Sequence, residues 1–320
     1  MSARLTALPS IPLAPEPSPI DELSRLRAAL DVRPRLLAKR DDAIRFAFGG
    51  NKVRKMRLVA ADAQAAGANV LITSGGVQSN HARVTAAAAA WLGMRSILVV
   101  NGQPQEAPTA NALLDRLLGA DVRYVASRQE RAPAMEAAAE EVRVQGQRPY
   151  IIPIGASTPL GAAAFALAVA ELLTQMPAPD VIVHATSSGG TQAGLVAGCV
   201  LAGVPTRILG ISADEPAAVL EQEIRRIMSG LASLLGEPAE RFDGARIEID
   251  DSFVGGGYGV PTAASRDAIG LLANTEAIFL DPTYTAKAMA GLVAYLRRGA
   301  FDANATVMFW HTGGQVGLFT

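Results

Sequence analysis

The chain has 320 residues, half of them apolar, 18% charged and only 5% aromatic. Its 29 basic and 30 acidic residues leave a formal net charge of −1, which argues against a basic surface for nucleic acid. One cysteine, Cys199, cannot form an internal disulfide, and no Cys/His cluster marks a zinc site, so a reducing compartment is expected.

In chain order, residues 1–19 come first, with five prolines and no signal-like apolar core, and about the first 15 are read as an extended arm. The longest apolar stretches, at 85–93 and 195–203, fall far short of the ~20 residues that span a bilayer. A soluble, cytoplasmic protein with no membrane or nucleic-acid partner is expected. Short β-branched runs at 70–73, 96–100, 122–125, 150–154, 181–184, 207–211, 277–280 and 306–310 predict strands. Ala/Leu-rich stretches at 53–65, 79–92, 107–118, 129–144, 160–175, 191–201, 216–235, 262–272 and 284–298 predict helices. Strands that are apolar throughout and alternate with helices imply an α/β fold, with parallel sheets covered on both faces.

Glycines crowd the passages from strand to helix, where such folds place ligands. Four loops stand out, at 48–52, 74–81, 186–191 and 254–259. None carries the dinucleotide fingerprint or a P-loop, which disfavours a nucleotide-binding α/β protein. The Ser187–Ser188–Gly189–Gly190–Thr191 loop follows a predicted strand and opens a helix, a setting that suits one phosphate monoester. Lys52 follows a Gly-Gly turn at a helix start, where its amine can be held near a ligand. A lysine, a phosphate loop and no nucleotide motif together suggest pyridoxal phosphate, whose aldehyde condenses with a lysine amine.

The chain resembles the D-cysteine desulfhydrase and 1-aminocyclopropane-1-carboxylate deaminase family of pyridoxal-phosphate enzymes, of the tryptophan synthase β fold type. The matching segments are Lys-Arg-Asp-Asp at 39–42, Gly-Gly-Asn-Lys-Val-Arg-Lys at 49–55 and Gly-Val-Gln-Ser-Asn-His-Ala-Arg at 76–83. Ser-Gly-Gly-Thr-Gln-Ala-Gly at 188–194, Leu-Asp-Pro-Thr-Tyr-Thr at 280–285 and His-Thr-Gly-Gly at 311–314 follow in family order. The resemblance implies two open parallel-sheet domains with the cofactor in the cleft between them. Residues 1–52 and 166–320 would form the larger, cofactor-binding domain and 53–165 the smaller one.

It also implies the residue roles. Lys52 would carry the cofactor and serve as base at the substrate Cα, which needs a pKa below the ordinary ~10.4. Asn80 would bond the cofactor's phenolic oxygen, and Gln78, Ser79 and Asn80 would line the substrate side. Ser188, Gly189, Gly190 and Thr191 would cradle the phosphate, with Lys55 as charge partner. Thr312 would face the pyridine nitrogen, and Tyr258 and Tyr284 would line the substrate pocket. His81, His184 and His311 are expected to pack or bond locally, Cys199 to be buried, and 221–226 to be a solvated helix face.

The implied activity is β-elimination from a small amino acid, D-cysteine first and L-cysteate related, in a homodimer. The alternatives are the cyclopropane deaminase and a non-catalytic protein that binds pyridoxal phosphate or an amino acid. Deaminases of the family carry Glu where this chain has Thr285, and bulky Phe46 and Phe48 stand where relatives continue Leu-Thr-Gly-Leu. Both differences bear on the substrate pocket.

Overall fold

The computed structural model describes residues 2–320. The chain opens with α1 (Ala3–Thr6), β1 (Ile20–Glu22), α2 (Ser24–Leu30), β2 (Arg35–Arg40) and α3 (Asn51–Ala65). It continues with β3 (Val70–Gly76), α4 (Asn80–Leu92), β4 (Arg95–Asn101), α5 (Ala110–Leu117), β5 (Asp121–Val125), α6 (Arg131–Val144) and β6 (Pro149–Ile152). After α7 (Pro159–Gln175) come β7 (Val181–Thr186), α8 (Gly190–Ala202), β8 (Arg207–Ser212), α9 (Ala217–Leu235) and β9 (Glu248–Asp250). Then α10 (Ala263–Glu276), α11 (Thr285–Arg297) and β10 (Thr306–His311) complete the order.

The strands form two sheets: β1-β2-β10-β7-β8-β9 and β5-β4-β3-β6. Every pairing is parallel except β1 with β2. Side chains alternate faces along a strand, so β10 sends Met308 and Trp310 into one core and Val307 and Phe309 into the other. Helices α7, α8 and α9 cover the first of these faces, and α2, α10 and α11 cover the second. The smaller sheet is likewise buried on both sides, against α3 and α4 on one and α6 on the other. No helix among the described residues is long and apolar enough to cross a membrane.

The structure corrects the sequence analysis in three places. Residues 277–280 form no strand; Ala277 ends α10 in a left-handed conformation (φ 56°) and the segment runs on to Asp281 without a ladder. The amino-terminal arm is packed rather than free: Leu5, Ile11 and Leu13 are buried, and Ile11 N–H donates to the Arg57 carbonyl at 2.9 Å. Strand β2 escaped notice because Arg35, Lys39 and Arg40 break its apolar run, yet Lys39 is fully buried.

Lys39 is tolerated there because it belongs to a buried ion network. Its Nζ donates to Glu171 Oε1 at 2.6 Å and to the Ser18 carbonyl at 2.7 Å. Arg54, on α3, donates to Glu171 at 2.7 Å and through Nε to Asp41 Oδ1 at 2.9 Å. Trp310 Nε1 closes the ring on Asp41 Oδ2 at 2.8 Å. Burial would raise the Glu171 carboxyl, but Arg54 and then Lys39 outweigh it and hold it at about 2. A depressed carboxyl supplies stability that is complete above its unfolded pKa of 4.5 and lost as pH falls through about 2. Glu171→Gln is expected to cost about 3–5 kcal/mol at pH 7, because it leaves two buried cations facing a neutral amide. Its acid limb between pH 4.5 and 2 should also be shallower than wild type, measured by denaturant unfolding across that range.

Candidate active site

The carboxyl ends of both sheets face one cavity of about 490 Å³, a volume suited to a small cofactor and its substrate. Lys52, Ser79, Asn80 and Thr312 line it on one side. Ser188, Gly189, Thr191, Tyr258 and Tyr284 line the rest. Lys55 and Gly190 sit just behind the wall, and Gln78 lies off it altogether. The Gln78 Oε1 accepts from Asn111 N–H at 2.9 Å, so this side chain caps α5 instead of reaching the cavity.

Lys52 is the second residue of α3, and its backbone is held by two glycine turns packed face to face. Gly50 has φ +100°, and a Cβ at Gly313 would stand 2.5 Å from its Cα. Gly50 N–H donates to the Asp41 carbonyl at 2.8 Å, and Asn51 N–H to the Thr312 carbonyl at 2.9 Å. The turn thus joins the buried ion network to the cavity. Burial lowers the Lys52 amine to about 8, so a useful fraction is free base near neutral pH.

A phosphate-type cradle follows from the start of α8. Gly189 adopts φ 74° and no side chain caps the helix, so the N–H groups of its first turn point to the cavity end unpartnered by a cap. Ser188 Oγ lies 2.7 Å from Ser157 Oγ, and Thr191 Oγ1 accepts from Asn51 Nδ2 at 3.0 Å. Beneath the loop, the fully buried Lys55 donates to the Gly155 carbonyl at 3.0 Å and has no acidic partner. Burial, then the Lys52 charge, pushes its pKa well below the ordinary lysine range. A Cβ at Gly190 would stand 2.8 Å from Lys55 Nζ, so only glycine lets the loop close over the amine. Helix N–H groups, hydroxyls and an amine lacking a counter-ion are the donor set that a phosphate monoester needs.

On the opposite wall, Ser79 caps α4 by accepting from Ala82 N–H at 3.2 Å. Asn80 Oδ1 accepts from Asn111 Nδ2 at 2.9 Å and from Arg83 at 3.3 Å, which leaves its Nδ2 as a donor beside Gly314. Arg83 also donates to Asn111 Oδ1 at 2.9 Å and to the Gly49 carbonyl at 3.0 Å. The sequence analysis missed Asn111 and Asn51 as supports, and nothing local to Asn111 signals its role. His81 lines the cavity; its Nε2 meets Thr73 Oγ1 at 2.8 Å while that hydroxyl donates to the Ile152 carbonyl. Nδ1 is therefore a buried acceptor without a partner, and burial keeps the ring neutral.

Tyr258 and Tyr284 form the far wall, hydroxyl to hydroxyl at 2.5 Å with rings edge to face. Burial raises both phenols above the ordinary range, so they stay protonated. Arg128 stacks over Tyr258, 4.9 Å from its ring centre, and pairs with Asp214 at 3.1 Å. Thr285 is turned away: it is fully buried and its Oγ1 donates to Asp281 Oδ1 at 2.7 Å. Phe46 packs on the core beside α3 and α4, and Phe48 is 60% exposed, so neither shapes the cavity. His184 bonds the Ala185 carbonyl, His311 the Phe279 carbonyl, and Cys199 is buried with its thiol pushed up to about 12. The 221–226 face is ion-paired, though Glu223 and Arg226 reach the cavity rim.

Comparison with known proteins bears on this cavity directly. The profile of the family described as "Pyridoxal-phosphate dependent enzyme" matches residues 11–313. A 1-aminocyclopropane-1-carboxylate deaminase of Burkholderia vietnamiensis is 39% identical, over 98% of this chain and 96% of its own. A D-cysteine desulfhydrase of Salmonella typhi is 34% identical, over 98% and 97%. The crystal structure of an ACC deaminase homologue superposes with a TM-score of 0.91 at 36% identity, covering 100% of this chain and 97% of its own. A threonine deaminase of Solanum lycopersicum, 19% identical with a TM-score of 0.69 over 97% and 82% of the two chains, shares the fold. A lysine behind a Gly-Gly turn, a phosphate-type cradle and a family match across almost the whole length lead to one conclusion: the chain belongs to the pyridoxal-phosphate dependent enzymes.

Proposed function

We propose that this enzyme, of the deaminase and desulfhydrase type, eliminates a β-substituent from a small amino acid, with D-cysteine the first substrate and L-cysteate a related one. In this reading residues 1–52 and 166–320 form the cofactor-binding domain, 53–165 form the smaller one, and two copies assemble in the cytoplasm. The uncapped α8 terminus with Ser188, Gly189, Gly190 and Thr191 holds the phosphate, and Lys55 answers its charge. Asn80 Nδ2 is the donor available to the phenolic oxygen, and Thr312 offers the pyridine nitrogen a neutral hydroxyl. Bound there, pyridoxal phosphate supplies an electron sink for charge developing at the substrate Cα.

The chain's own groups do the rest. Lys52 holds the cofactor and, with its amine near 8, accepts the Cα proton. Ser79 and Asn80 orient the substrate carboxylate. Tyr284, a neutral phenol hydrogen-bonded to Tyr258, gives a proton to the departing group. The observation that carries elimination over ring opening is Thr285, a non-ionising hydroxyl already bound to Asp281 where the family's deaminases have Glu. A β-sulfur group leaves with its electron pair and needs no acid there. Deamination of the cyclopropane acid is the second reading, favoured by 39% identity to a deaminase against 34% to a desulfhydrase.

Two measurements test these assignments. Borohydride reduction followed by peptide mass spectrometry should place the cofactor on Lys52, and Lys52→Ala should lose turnover by about 10²–10⁴-fold or more while keeping its fold. Label on another lysine would overturn the assignment. Ammonia release from D-cysteine, L-cysteate and β-chloroalanine should exceed that from the cyclopropane acid under identical conditions. The reverse order would establish the deaminase reading, and inertness towards all four would leave a binding protein.

A further inference from the structure

On the tyrosine side of the cavity one guanidinium has no counter-ion among the described residues. Arg131, the first residue of α6, lines the cavity half-buried, and its one side-chain hydrogen bond runs from Nε to the Arg128 carbonyl at 3.2 Å. Its neighbours are all committed: Arg128 to Asp214 and Arg226 to Glu223. Among the described residues no carboxylate lies within ion-pair distance of Arg131. The charges and hydroxyls that bear on it are those of Arg128, Tyr258, Asp214 and Tyr284. Glu215 lines the same cavity but is not among them. Both Nη atoms are therefore unspent donors on the tyrosine side, away from the phosphate cradle.

A guanidinium half-withdrawn from water, lining a cavity and lacking a carboxylate partner, is a ready docking point for a ligand anion. The phosphate has its own donors at α8, and the substrate's α-carboxylate has the Ser79–Asn80 turn, so the remaining anion belongs on the substrate's side chain. We propose that Arg131 binds a negative charge on the substrate's side chain and so favours amino acids with an anionic β-group, a sulfonate or sulfinate, which moves L-cysteate ahead of D-cysteine within the proposed function. The inference rests on the cavity being an amino-acid site. Arginine suits this task because its planar fork matches the oxygens of a sulfonate or carboxylate in pairs. For L-cysteate, the Cα–H proton passes to Lys52, the Cβ–S bond breaks, and sulfite leaves with the electron pair and takes up one proton to become bisulfite, the proton count being closed by the one removed from Cα. The enamine left behind takes up one water to give pyruvate and ammonium, so that L-cysteate and water become pyruvate, bisulfite and ammonium.

Aspartate has the anionic side chain but no leaving group, so it reads binding without turnover. Calorimetric titration of the cofactor-loaded enzyme with L- and D-aspartate and with L- and D-alanine should show a clear preference for aspartate. Arg131→Gln should weaken aspartate by about tenfold or more, Arg131→Lys by less, and alanine by under about twofold. The same variant should lower kcat/KM for L-cysteate far more than for β-chloroalanine. Equal weakening of aspartate and alanine, or none of either, would overturn the role of Arg131 alone. Failure of both amino acids to bind the wild-type enzyme would overturn the amino-acid site itself, and this inference with it.

Discussion

Arg54 lies between Asp41 and Glu171 with almost no access to water, and the active site hangs from that placement. Two residues upstream on the same helix turn is Lys52, so fixing the Arg54 guanidinium fixes the first turn of α3 and the direction of the lysine. Asp41 serves twice: its carboxylate holds Arg54 and Trp310, and its carbonyl accepts from Gly50 N–H. The network also draws in Ser18 and Lys39, so five separated stretches of chain meet at one buried charge cluster. Such clusters add little net stability over apolar packing, but breaking one partner strands the others. Their worth here is geometric, since one arrangement satisfies every member.

Strain accumulates where this anchor meets the cavity. Ala47, Phe48, Gly49 and Gly50 all have positive φ, between 45° and 100°. Two of the four are not glycines, and left-handed backbone costs such residues about 1–3 kcal/mol each. The turn is held by contacts from outside it: Arg83 donates to the Gly49 carbonyl, and Gln315 donates to the carbonyls of Asp42 and Phe48. Side chains from α4 and from the carboxyl terminus thus enforce a backbone that its own residues disfavour, immediately before the helix that carries Lys52.

Electrostatically the cavity awaits anions. Burial depresses both Lys52 and Lys55, the Lys52 charge depresses Lys55 further, and among the described residues neither has an ion-paired carboxylate. Lys55 and the bare end of α8 converge on one spot, and Arg131 stands unpaired on the tyrosine side. A phosphate would restore charge to Lys55 by the same physics that now removes it.

Much of this was legible in the residues. Apolar strand runs alternating with Ala-rich helices dictated parallel sheets covered on both faces, because such strands have no face fit for water. The glycine loops marked the cavity because only glycine permits the turns and close approaches made there. Lys52 and the 188–191 loop were read from local motifs, Asn80 and the two tyrosines from the family resemblance, and the fold brings them around one cavity. Gln78 looked the same in sequence but lies off the cavity, because α5 offers its side chain a helix end to cap. Thr285 looked available and is not, because Asp281 claims its hydroxyl. Strand β2 was hidden because its buried Lys39 reads as surface until Glu171, 132 residues away, is seen beside it. Arg131 looked like any helix-surface arginine until folding set it on the cavity wall without a counter-ion. Composition and local pattern determine which elements form and which turns can approach a ligand. Whether a charge is paired, buried or left waiting depends on groups far away in the chain, and only the tertiary structure decides that.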